Sequence, residues 1–548
     1  MPTIILNKTE LEKLVGKKLS LEQLQDRISM LGTDLEKIEG NEIQVEVFPN
    51  RPDMLSEQGF ARALSSFIGA QTGLRKYIVK KSGLKVIVDK SVSMRPYTAC
   101  AIVKNLSFND EKIREIMQAQ EKLATTHGRN RKKSGYGIYP LRNITFPVHY
   151  IAKDPYQVRF RPLGLDQEIS AADIEELHEK GKEYHFITAG WSKFPFFIDE
   201  AGKIMSLLPY INSQEMGKID ETTTEIFIEC SGTDLPNVQV ALTIFTTMFA
   251  DMGGEIYSLD IVYSDKTITT PDLTPRTMKL DLAYINKRLG LPLNEKEAVA
   301  LLGRMGYGYE KGMVLIPAYR ADILHQVDLM EDLAIAYGYE NFTEEIPRVS
   351  TIGAEDPVEI FISKIREILI GLSLLEVKNY HLMNPEELTV KMNSVKGGIP
   401  LKNAVGDYNQ LRNSLLPSLL KNLAENQHQE YPHHIFELGR IFEPGGKTDT
   451  GVQETEKVTV MLCSEKTDFT EIRQVLDTMM RSMGVQSGVQ ESTHPSFIAG
   501  RAGKIMVQGK SIGIVGELHP QVLVNWGLTM PVVALELDIS TLFELLKR

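Results

Sequence analysis

The chain has 548 residues and a formal net charge of −11 at pH 7, with 42% hydrophobic and 24% charged side chains. This length exceeds what one hydrophobic core organises, so it predicts roughly three or four domains. The acidic balance argues against a dedicated nucleic-acid-binding protein, and no stretch approaches the ~18 apolar residues of a membrane span. Three separated cysteines without a C-x-x-C pair argue against a zinc site or a disulfide framework and favour a reducing, cytoplasmic location.

Residues 1–85 have the pattern of a mixed α/β domain. PTIILN predicts a short strand, LSLEQLQDRISMLG has the apolar spacing of a helix that ends at Gly32, and EIQVEVF alternates with period two. The segment NRPDMLS then breaks the strand, because Pro52 cannot continue a ladder. Helix EQGFARALSSFIG follows and stops at Gly69.

The polar residues of this break have two possible roles. Asn50, Arg51 and Asp53 form a turn that joins strand to helix, or they orient a partner or substrate. The pattern favours the turn.

Residues 86–270 predict a β-rich domain with intervening helices. FPFFID, KIMSLLPYI and TEIFIECSG have the pattern of successive strands joined by polar turns, and the helix LPNVQVALTIFTTMFADMG follows. Ser231, Thr233 and Asp234 precede this helix, so Asp234 is a plausible N-cap as well as a candidate site residue.

A basic segment, HGRNRKKSGYG, lies inside this domain. It is either a place that holds a phosphate or a substrate end, or a solvated loop beside a strand. Its cationic side chains are His127, Arg129, Arg131, Lys132 and Lys133.

Residues 271–347 predict a small module of two helices and a strand. KLDLAYINKRLGLPLNEKEAVALLGRMGYGYE contains two helical patterns, and MVLIPAYR predicts a strand that runs into a loop. This arrangement suits a winged-helix-like fold. Its few cations and many carboxylates argue against DNA binding, which fold alone does not establish.

Four carboxylates stand in the segment LIPAYRADILHQVDLMEDLAIAYGYENF. Asp328, Glu331 and Asp332 fall at i, i+3 and i+4 and share one face of a predicted helix, while Asp322 stands in the preceding loop. Without a matching set of cations the cluster repels itself, and Mg²⁺ would relieve that repulsion through oxygen ligands. Acidic residues in a first helical turn also face the helix dipole favourably, so both interpretations stay open.

The segments just described resemble one family. PAYRADI and DLMEDLAIAYGY, between Pro317 and Tyr339, resemble the signature of the phenylalanyl-tRNA synthetase beta subunit. VEVFPNRPDMLSEQGFARALSSFIG is similar to that family's N-terminal region, whereas DEAGKIMSLLPYINS and EIFIECSGTD resemble its archaeal and eukaryotic branch. LRNSLLPSLLKNLAEN, IFELGRIF and GIVGELHP resemble its synthetase-like module. The resemblance covers almost the whole chain.

The resemblance implies an α+β, multidomain fold. It implies an N-terminal α/β domain (1–85), a β-rich editing-like, tRNA-binding domain (86–270), a small winged-helix-like domain (271–347) and a class II synthetase-like antiparallel-sheet domain (348–548). In the family the acidic positions that match Asp322, Asp328, Glu331 and Asp332 bind magnesium. The editing domain hydrolyses tRNA mischarged with tyrosine, and the positions carried over are Asn212, Ser213, Thr233 and Asp234.

The last domain resembles a class II catalytic fold without its full set of arginines. Class II catalysis needs arginines and Mg²⁺ around ATP. LRNSLLPSLL occupies the place of one arginine-bearing motif, but the second motif, expected late in the chain, is absent. This domain is therefore expected to be inactive, with Arg412 and Arg440 serving the core or an interface.

The resemblance implies a subunit of a larger enzyme. Two alpha and two beta chains would attach phenylalanine to tRNA(Phe) at the expense of ATP, with synthesis in the alpha subunit and proofreading in this chain. Two alternatives stay open: a stand-alone aminoacyl-ester hydrolase, and a non-enzymatic tRNA-binding or scaffold paralogue.

Overall fold

The computed structural model describes residues 2–348, 351–404, 406–445 and 448–547. The chain divides into two compact units, Met1–Glu345 and Ile346–Arg548, close to the predicted boundary at residue 347. Both contain sheets covered by helices, so the multidomain α+β prediction is confirmed. None of the helices in the described residues combines the length and the apolar composition required to cross a lipid bilayer.

The N-terminal part of the first unit is a three-stranded antiparallel sheet in the order β1-β3-β2. Its elements are β1 (Thr3–Asn7), α1 (Lys8–Val15), α2 (Leu21–Met30), β2 (Asp34–Glu39), β3 (Glu42–Glu46) and α3 (Glu57–Phe67). NRPDMLS forms the predicted break between β3 and α3, where Arg51 donates two 2.9 Å hydrogen bonds to Asp53 and both side chains are buried. Helix α1 and strand β2 were not predicted.

A ten-stranded sheet dominates the first unit. Nine of its strands follow the order β12-β11-β10-β7-β4-β14-β5-β13-β6, and β15 pairs with β14. The elements of this region are β4 (Val79–Val88), β5 (Tyr97–Lys104), α4 (Asp110–Thr125), β6 (Ser134–Pro140), β7 (Val148–Lys153), β8 (Arg159–Phe160), β9 (Ile169–Ser170), α5 (Ile174–Leu177), α6 (Glu179–Thr188), β10 (Phe194–Ile198), β11 (Ile204–Leu207), β12 (Ile211–Asn212), α7 (Gln214–Gly217), β13 (Ile226–Gly232), α8 (Leu235–Asp251), β14 (Glu255–Val262) and β15 (Thr267–Thr270).

One expectation for this region needs correction. The predicted boundary at residue 85 falls inside β4, whose pairing with β14 and β7 assigns the strand to the large sheet. The three predicted strands are present as β10, β11 and β13, of which β10 and β11 pair with each other. Strand β13 pairs with β5 and β6.

The two ends of the strand order come together through Asn212. Its Nδ2 lies 3.4 Å from the carbonyl oxygen of Ile138 in β6, and its Oδ1 accepts a 3.1 Å hydrogen bond from the Tyr139 hydroxyl. The sheet therefore curls. The outer face of the sheet packs against α4 and α8, and this core contains Ile228 of β13 and Phe245 of α8. The inner face carries Phe227 and other apolar residues.

The third part of the first unit contains the predicted helix pair and strand. Its sheet has the order β16-β18-β17 and is antiparallel. The elements are β16 (Arg276–Lys279), α9 (Leu282–Leu289), α10 (Glu295–Arg304), β17 (Gly308–Glu310), β18 (Met313–Ile316) and α11 (Gln326–Tyr337). Gly290 ends α9 with φ +69°, a conformation that favours glycine.

The second unit is built on a seven-stranded sheet in the order β19-β23-β24-β28-β27-β26-β25. Only β19 runs parallel to its neighbour, so the predicted antiparallel sheet is confirmed. The elements are α12 (Pro357–Gly371), β19 (Leu375–Glu376), β20 (Leu382–Met383), α13 (Pro385–Leu388), β21 (Ile399–Pro400), β22 (Gln410–Leu411), α14 (Leu416–Glu425), β23 (His433–Pro444), β24 (Val452–Cys463), α15 (Phe469–Ser482), β25 (Gly488–Glu491), β26 (Phe497–Val507), β27 (Lys510–Leu518), α16 (Pro520–Asn525), β28 (Val532–Asp538) and α17 (Ile539–Leu546).

The two arginines singled out in the second unit are both engaged with carboxylates. Arg412 is fully buried and pairs with Glu437, while Arg440 lies on the exposed side of β23 and pairs with Glu454 and Glu456. Arg412 therefore serves the core of the unit.

Candidate functional site

A cavity of about 570 Å³ lies where α4, β6 and β12 meet. Apolar side chains of α4 and β6 form much of its wall, including Ile116 and Ile138. Four charged side chains, Glu121, Arg131, Lys180 and Lys218, also line it. The volume falls within the ~300–1,000 Å³ typical of small-ligand sites.

The charged group at this cavity is centred on Glu121. Its carboxylate lies 3.0 Å from Arg131 and 3.2 Å from Lys180. Burial acts to raise the pKa of Glu121, but Arg131 and Lys180 outweigh it and hold the pKa below its ordinary value. Arg131 also donates to the carbonyl oxygens of Pro209 and Tyr210, at 3.2 and 2.7 Å, and so fixes the opposite wall.

A polar chain leads from the cavity into the interior of the sheet. Asn212 lines the cavity, and the Tyr139 hydroxyl lies 3.1 Å from Asn212 Oδ1 and 3.3 Å from Glu229 Oε1. Glu229 is fully buried, and burial raises its pKa to about 8 although Arg95 opposes the shift. Added carbon at Gly137 would collide with Tyr139 and Glu229, so glycine is what permits this contact.

The inner end of this chain has unused hydrogen-bonding capacity. Glu229 Oε2, Ser231 Oγ and Ser206 Oγ are buried and have no partner of good hydrogen-bond geometry among the described residues. Ser231 is still near enough to act against the raised pKa values of Glu229 and Tyr150, and Ser206 acts in the same way on Tyr139. Buried polar atoms in folded proteins are nearly always paired, so a group of unpaired ones is a candidate for binding polar ligand atoms or water.

The sequence patterns did not identify Tyr139, Ser206 and Glu229 as site residues. The signal for Glu229 was present in TEIFIECSG, where a carboxylate stands inside an otherwise apolar strand. Period-two alternation assigns such a residue to a solvent face. The curling of the sheet makes that face an interior.

The four predicted editing residues lie in two separate places. Asn212 lines the cavity beside Ile138, and Ser213 is buried at the start of α7, where its Oγ accepts from Met216 N. Thr233 is exposed, and its amide donates to the Lys133 carbonyl at 3.0 Å. Because Lys133 and Ile138 are five positions apart along an extended strand, about 16 Å separates the two places.

Asp234 caps α8. Its Oδ1 accepts a 3.1 Å hydrogen bond from Asn237 N, and its Oδ2 lies 3.0 Å from Lys133 Nζ. The hydrogen bond from Lys133 is the main reason that the pKa of Asp234 is lowered. The predicted capping role is confirmed.

The four acidic residues of the predicted metal site are arranged around a buried arginine. Arg320 donates to both oxygens of Asp322, at 2.9 and 2.7 Å, and to Asp332 Oδ2 at 2.7 Å. The expectation that the cluster has no matching cation is therefore wrong. The spacing of the motif could not show that Arg320 turns inward between the two aspartates.

The other two carboxylates have different environments. Asp328 Oδ2 accepts from the amides of Leu324 and His325 at the start of α11, as the helix-dipole interpretation expected of a first-turn residue. Glu331 is exposed and accepts a 2.8 Å hydrogen bond from the Tyr339 hydroxyl.

Only two of the four acidic residues are placed where they could share a metal ion. Across the described ranges, no group of three or more His, Cys, Asp or Glu side chains is placed to hold a metal. The four residues thus do not fit a shared four-ligand cage. Asp328 and Glu331, one helical turn apart, each keep one oxygen that accepts no hydrogen bond from the described residues. This pair fits a hydrated Mg²⁺, which takes one or two direct carboxylates.

Two family models match the chain. The tRNA synthetase B5 domain matches residues 278–339, and the phenylalanyl tRNA synthetase beta chain CLM domain matches residues 343–539.

Full-length relatives agree with these models. The chain is 38% identical to the phenylalanine–tRNA ligase beta subunit of Pyrococcus abyssi, covering 99% of this chain and 100% of the relative. It is 39% identical to the protein of the same name from Archaeoglobus fulgidus, covering 99% of both. A solved N-terminal fragment of the phenylalanyl-tRNA synthetase beta subunit from Pyrococcus horikoshii has a TM-score of 0.59 at 36% identity. The superposed region covers 61% of this chain and 99% of the fragment.

Proposed function

The chain belongs to the phenylalanine–tRNA ligase beta-subunit family, and we propose that it removes tyrosine from mischarged tRNA(Phe) while an alpha subunit attaches phenylalanine. The observation that carries the proofreading role is the unpaired polar group of Ser206, Glu229 and Ser231, joined to the cavity through Tyr139 and Asn212.

The chemistry of this group suits discrimination between tyrosine and phenylalanine. A tyrosine hydroxyl would pair with Glu229 Oε2 or Ser231 Oγ, whereas phenylalanine would leave these buried atoms unpaired, at about 1–3 kcal/mol for each. Sites built to hydrogen-bond a substrate hydroxyl reject the analogue without it by as much as ~10⁴–10⁵-fold. Hydrolysis of the ester needs an oriented water and no protein nucleophile. In this proposal Asn212 belongs to the site, and the roles of Ser213, Thr233 and Asp234 are to hold α7 and α8.

The proofreading role is tested by release of tyrosine from Tyr-tRNA(Phe) by the full chain. We expect Glu229→Gln and Tyr139→Phe to slow release at least about tenfold, since each removes hydrogen bonding from the buried group. The matched control is Glu310→Gln, the same change at an exposed strand residue. Unchanged release by both site variants contradicts the proposal, and no release by the wild-type chain favours the non-enzymatic paralogue.

We propose that ATP-dependent activation of phenylalanine takes place in the alpha subunit. Arg412 is committed to Glu437 in the core of the second unit, which leaves it unable to clamp ATP phosphates. Phenylalanine-dependent pyrophosphate exchange should appear only after the alpha subunit is added, in an assembly of two alpha and two beta chains. Robust exchange by this chain alone contradicts the division of roles. A stand-alone hydrolase would need no such partner.

We further propose that Asp328 and Glu331 hold a hydrated Mg²⁺, with Arg320 neutralising Asp322 and Asp332 behind them. The ion would relieve the remaining repulsion on α11. A cytoplasmic location is also proposed. It is supported by the cysteines Cys100, Cys230 and Cys463, which are all free and buried.

A further inference from the structure

We propose that a second cavity of the first unit binds the phosphate group of a small ligand. The cavity, called here the arginine cavity, has a volume of about 580 Å³ and lies where β8, β11 and α7 meet. Among the described residues, none lines both this cavity and the one at α4, β6 and β12. The inference therefore does not depend on the proofreading role.

Positive charge exceeds negative charge in the wall of the arginine cavity. Its charged side chains, as far as the chain is described, are four cations and two carboxylates: Arg142, Arg159, Arg161, Lys203, Glu168 and Glu215. This excess of two positive charges stands in a chain whose net charge is −11. Such a wall attracts an anion and repels a metal ion.

Two of the cations are free to receive a ligand. Arg159 and Lys203 are exposed, and no carboxylate of the described residues lies at ion-pair distance from either of them. Arg159 donates one 3.1 Å hydrogen bond, to the carbonyl oxygen of Glu168. A guanidinium has five N–H donors, so the remaining ones and the Lys203 ammonium are available to the oxygens of an anion.

The other two cations are held in place by carboxylates. Arg142 pairs with Asp220 at 3.2 Å and donates a 2.8 Å hydrogen bond to Thr222 Oγ1. Arg161 Nε lies 2.8 Å from Glu215 Oε1, but this nitrogen is buried and has no partner of good hydrogen-bond geometry in the described residues. A buried donor without a well-placed acceptor is a candidate for binding a ligand oxygen.

Hydrogen bonds fix the walls of the arginine cavity relative to one another. The buried Asp199 carboxylate accepts from the amides of Lys203, at 2.8 Å, and Thr145, at 3.2 Å. These bonds tie the turn between β10 and β11 to the segment before β7. The Asn143 side chain donates to the carbonyl oxygen of Glu215 at 3.1 Å, which ties the segment after β6 to α7. The site is thus formed before a ligand binds, as is usual for small-ligand sites.

The lining residues favour a phosphate over other anions. Guanidinium groups present paired donors that match phosphate oxygens. A phosphate monoester carries about −1.5 to −2 charges at pH 7, which balances the excess of two positive charges, whereas a nucleic-acid phosphodiester carries one. Phe160 is the one aromatic ring in the described lining and is 4% exposed, so a nucleobase would find no stacking surface. The ligand is therefore a small phosphate compound.

The test is isothermal titration calorimetry of the full chain with inorganic phosphate and with glycerol phosphate, at constant ionic strength. One site per chain should saturate, with a dissociation constant of about 1 mM or tighter. The tighter-binding compound shows whether the site takes the free ion or a phosphate ester. Dimethyl phosphate, a diester with a single charge, should bind at least about fivefold more weakly. No saturation with either phosphate, or equal binding of the diester, overturns the inference.

Two sets of variants should change the affinity in opposite directions. Arg159→Ala combined with Lys203→Ala removes the two free cations and should weaken phosphate binding at least about tenfold. Arg159→Lys combined with Lys203→Arg keeps both charges and should retain most of the affinity. Glu215→Gln removes a carboxylate that competes for Arg161 and should strengthen binding about fivefold, which a misfolded chain would not do.

Matched controls change exposed residues away from the arginine cavity. Arg481→Ala with Lys504→Ala removes one arginine and one lysine of the second unit, and Glu310→Gln removes one carboxylate. These variants should bind phosphate as the wild type does. Equal weakening by the Arg481/Lys504 variant would mean that phosphate binds through net charge alone, which overturns the site. Unchanged affinity in both the Arg159/Lys203 and the Glu215 variants overturns it as well.

Discussion

Arg412 Nη1 lies 2.7 Å from Glu437 Oε1, and neither side chain is exposed to solvent. Arg412→Met would leave the Glu437 carboxylate buried without its cation, which typically costs about 3–5 kcal/mol. We expect the free energy of unfolding of the second unit to fall by that amount. Urea unfolding followed through the fluorescence of Trp526, in a Trp191→Phe background, measures it.

The double variant Arg412→Met with Glu437→Leu is the control for that measurement. Replacing both partners of a buried ion pair by apolar groups is often nearly neutral, so most of the loss should be recovered. A single variant as stable as the wild type would show that the pair does not hold the core.

Glu229 should make stability depend on pH. Burial raises its pKa from 4.5 to about 8, so between these pH values the folded chain keeps a proton that the unfolded chain releases. Its contribution to stability is therefore complete below about pH 4.5 and is lost as pH rises toward 8. Glu229→Gln, which cannot ionise, should gain stability relative to the wild type as pH increases.

Thermal unfolding of the wild type and Glu229→Gln at pH 5, 6.5 and 8 checks this expectation. Glu57 and Glu115 also have raised pKa values, about 8 and 7, and give a slope of the same sign. The quantity to follow is thus the difference between the two proteins at each pH. A constant difference would mean that Glu229 is ionised throughout.

Asp234 should act as a helix cap and take no part in the release of tyrosine. Asp234→Ala removes the acceptor for Asn237 N and should cost ~1 kcal/mol. Asp234→Asn keeps a good N-cap while losing the charge beside Lys133, and should remain close to wild-type stability. Release of tyrosine per folded molecule should be unchanged in both. Slow release in the folded Asp234→Asn variant would return Asp234 to the list of site residues.

Mg²⁺ should stabilise the first unit through Asp328 and Glu331. An ion that binds only the folded state adds about 2.7 kcal/mol at a hundredfold excess over its dissociation constant. Asp328→Asn combined with Glu331→Gln should abolish the effect, whereas Glu310→Gln should keep it. Thermal unfolding with and without MgCl₂, at an ionic strength matched with NaCl, measures it. Equal stabilisation by NaCl alone would contradict a specific site.

The sequence predicts those elements of the fold whose apolar spacing matches their geometry. Helices α2, α3 and α8 follow recognisable caps and periods, as their residues show. Helix α1 has only eight residues, and β2 buries neither Leu35 nor Ile38 fully, so neither has a clear period. A long helix or strand can be recognised from a sequence because many of its apolar residues repeat with the period of one buried face.

The candidate site was predictable only in part. Asn212 was found through family resemblance, and the capping role of Asp234 through its place before an apolar helix. The neighbours of Glu229 come from strands far apart in sequence, and no local sequence pattern shows that these residues are in contact in the folded chain. Arg320 was visible in the acidic motif, but its inward orientation depends on packing against Tyr307 and Asp332.

The contact between Asn212 and β6 also bears on aggregation. Strand β6 ends the strand order, and an unpaired sheet edge is a template for strands of other molecules. The carbonyl oxygen of Tyr136 accepts a 2.6 Å hydrogen bond from the side-chain amide of Gln120. The carbonyl oxygen of Ile138 accepts one of 3.4 Å from the side-chain amide of Asn212. An incoming strand would have to displace both amides before it could pair. The residue that lines the cavity thus also helps to keep the chain from associating edge to edge with its own copies during synthesis and at high concentration.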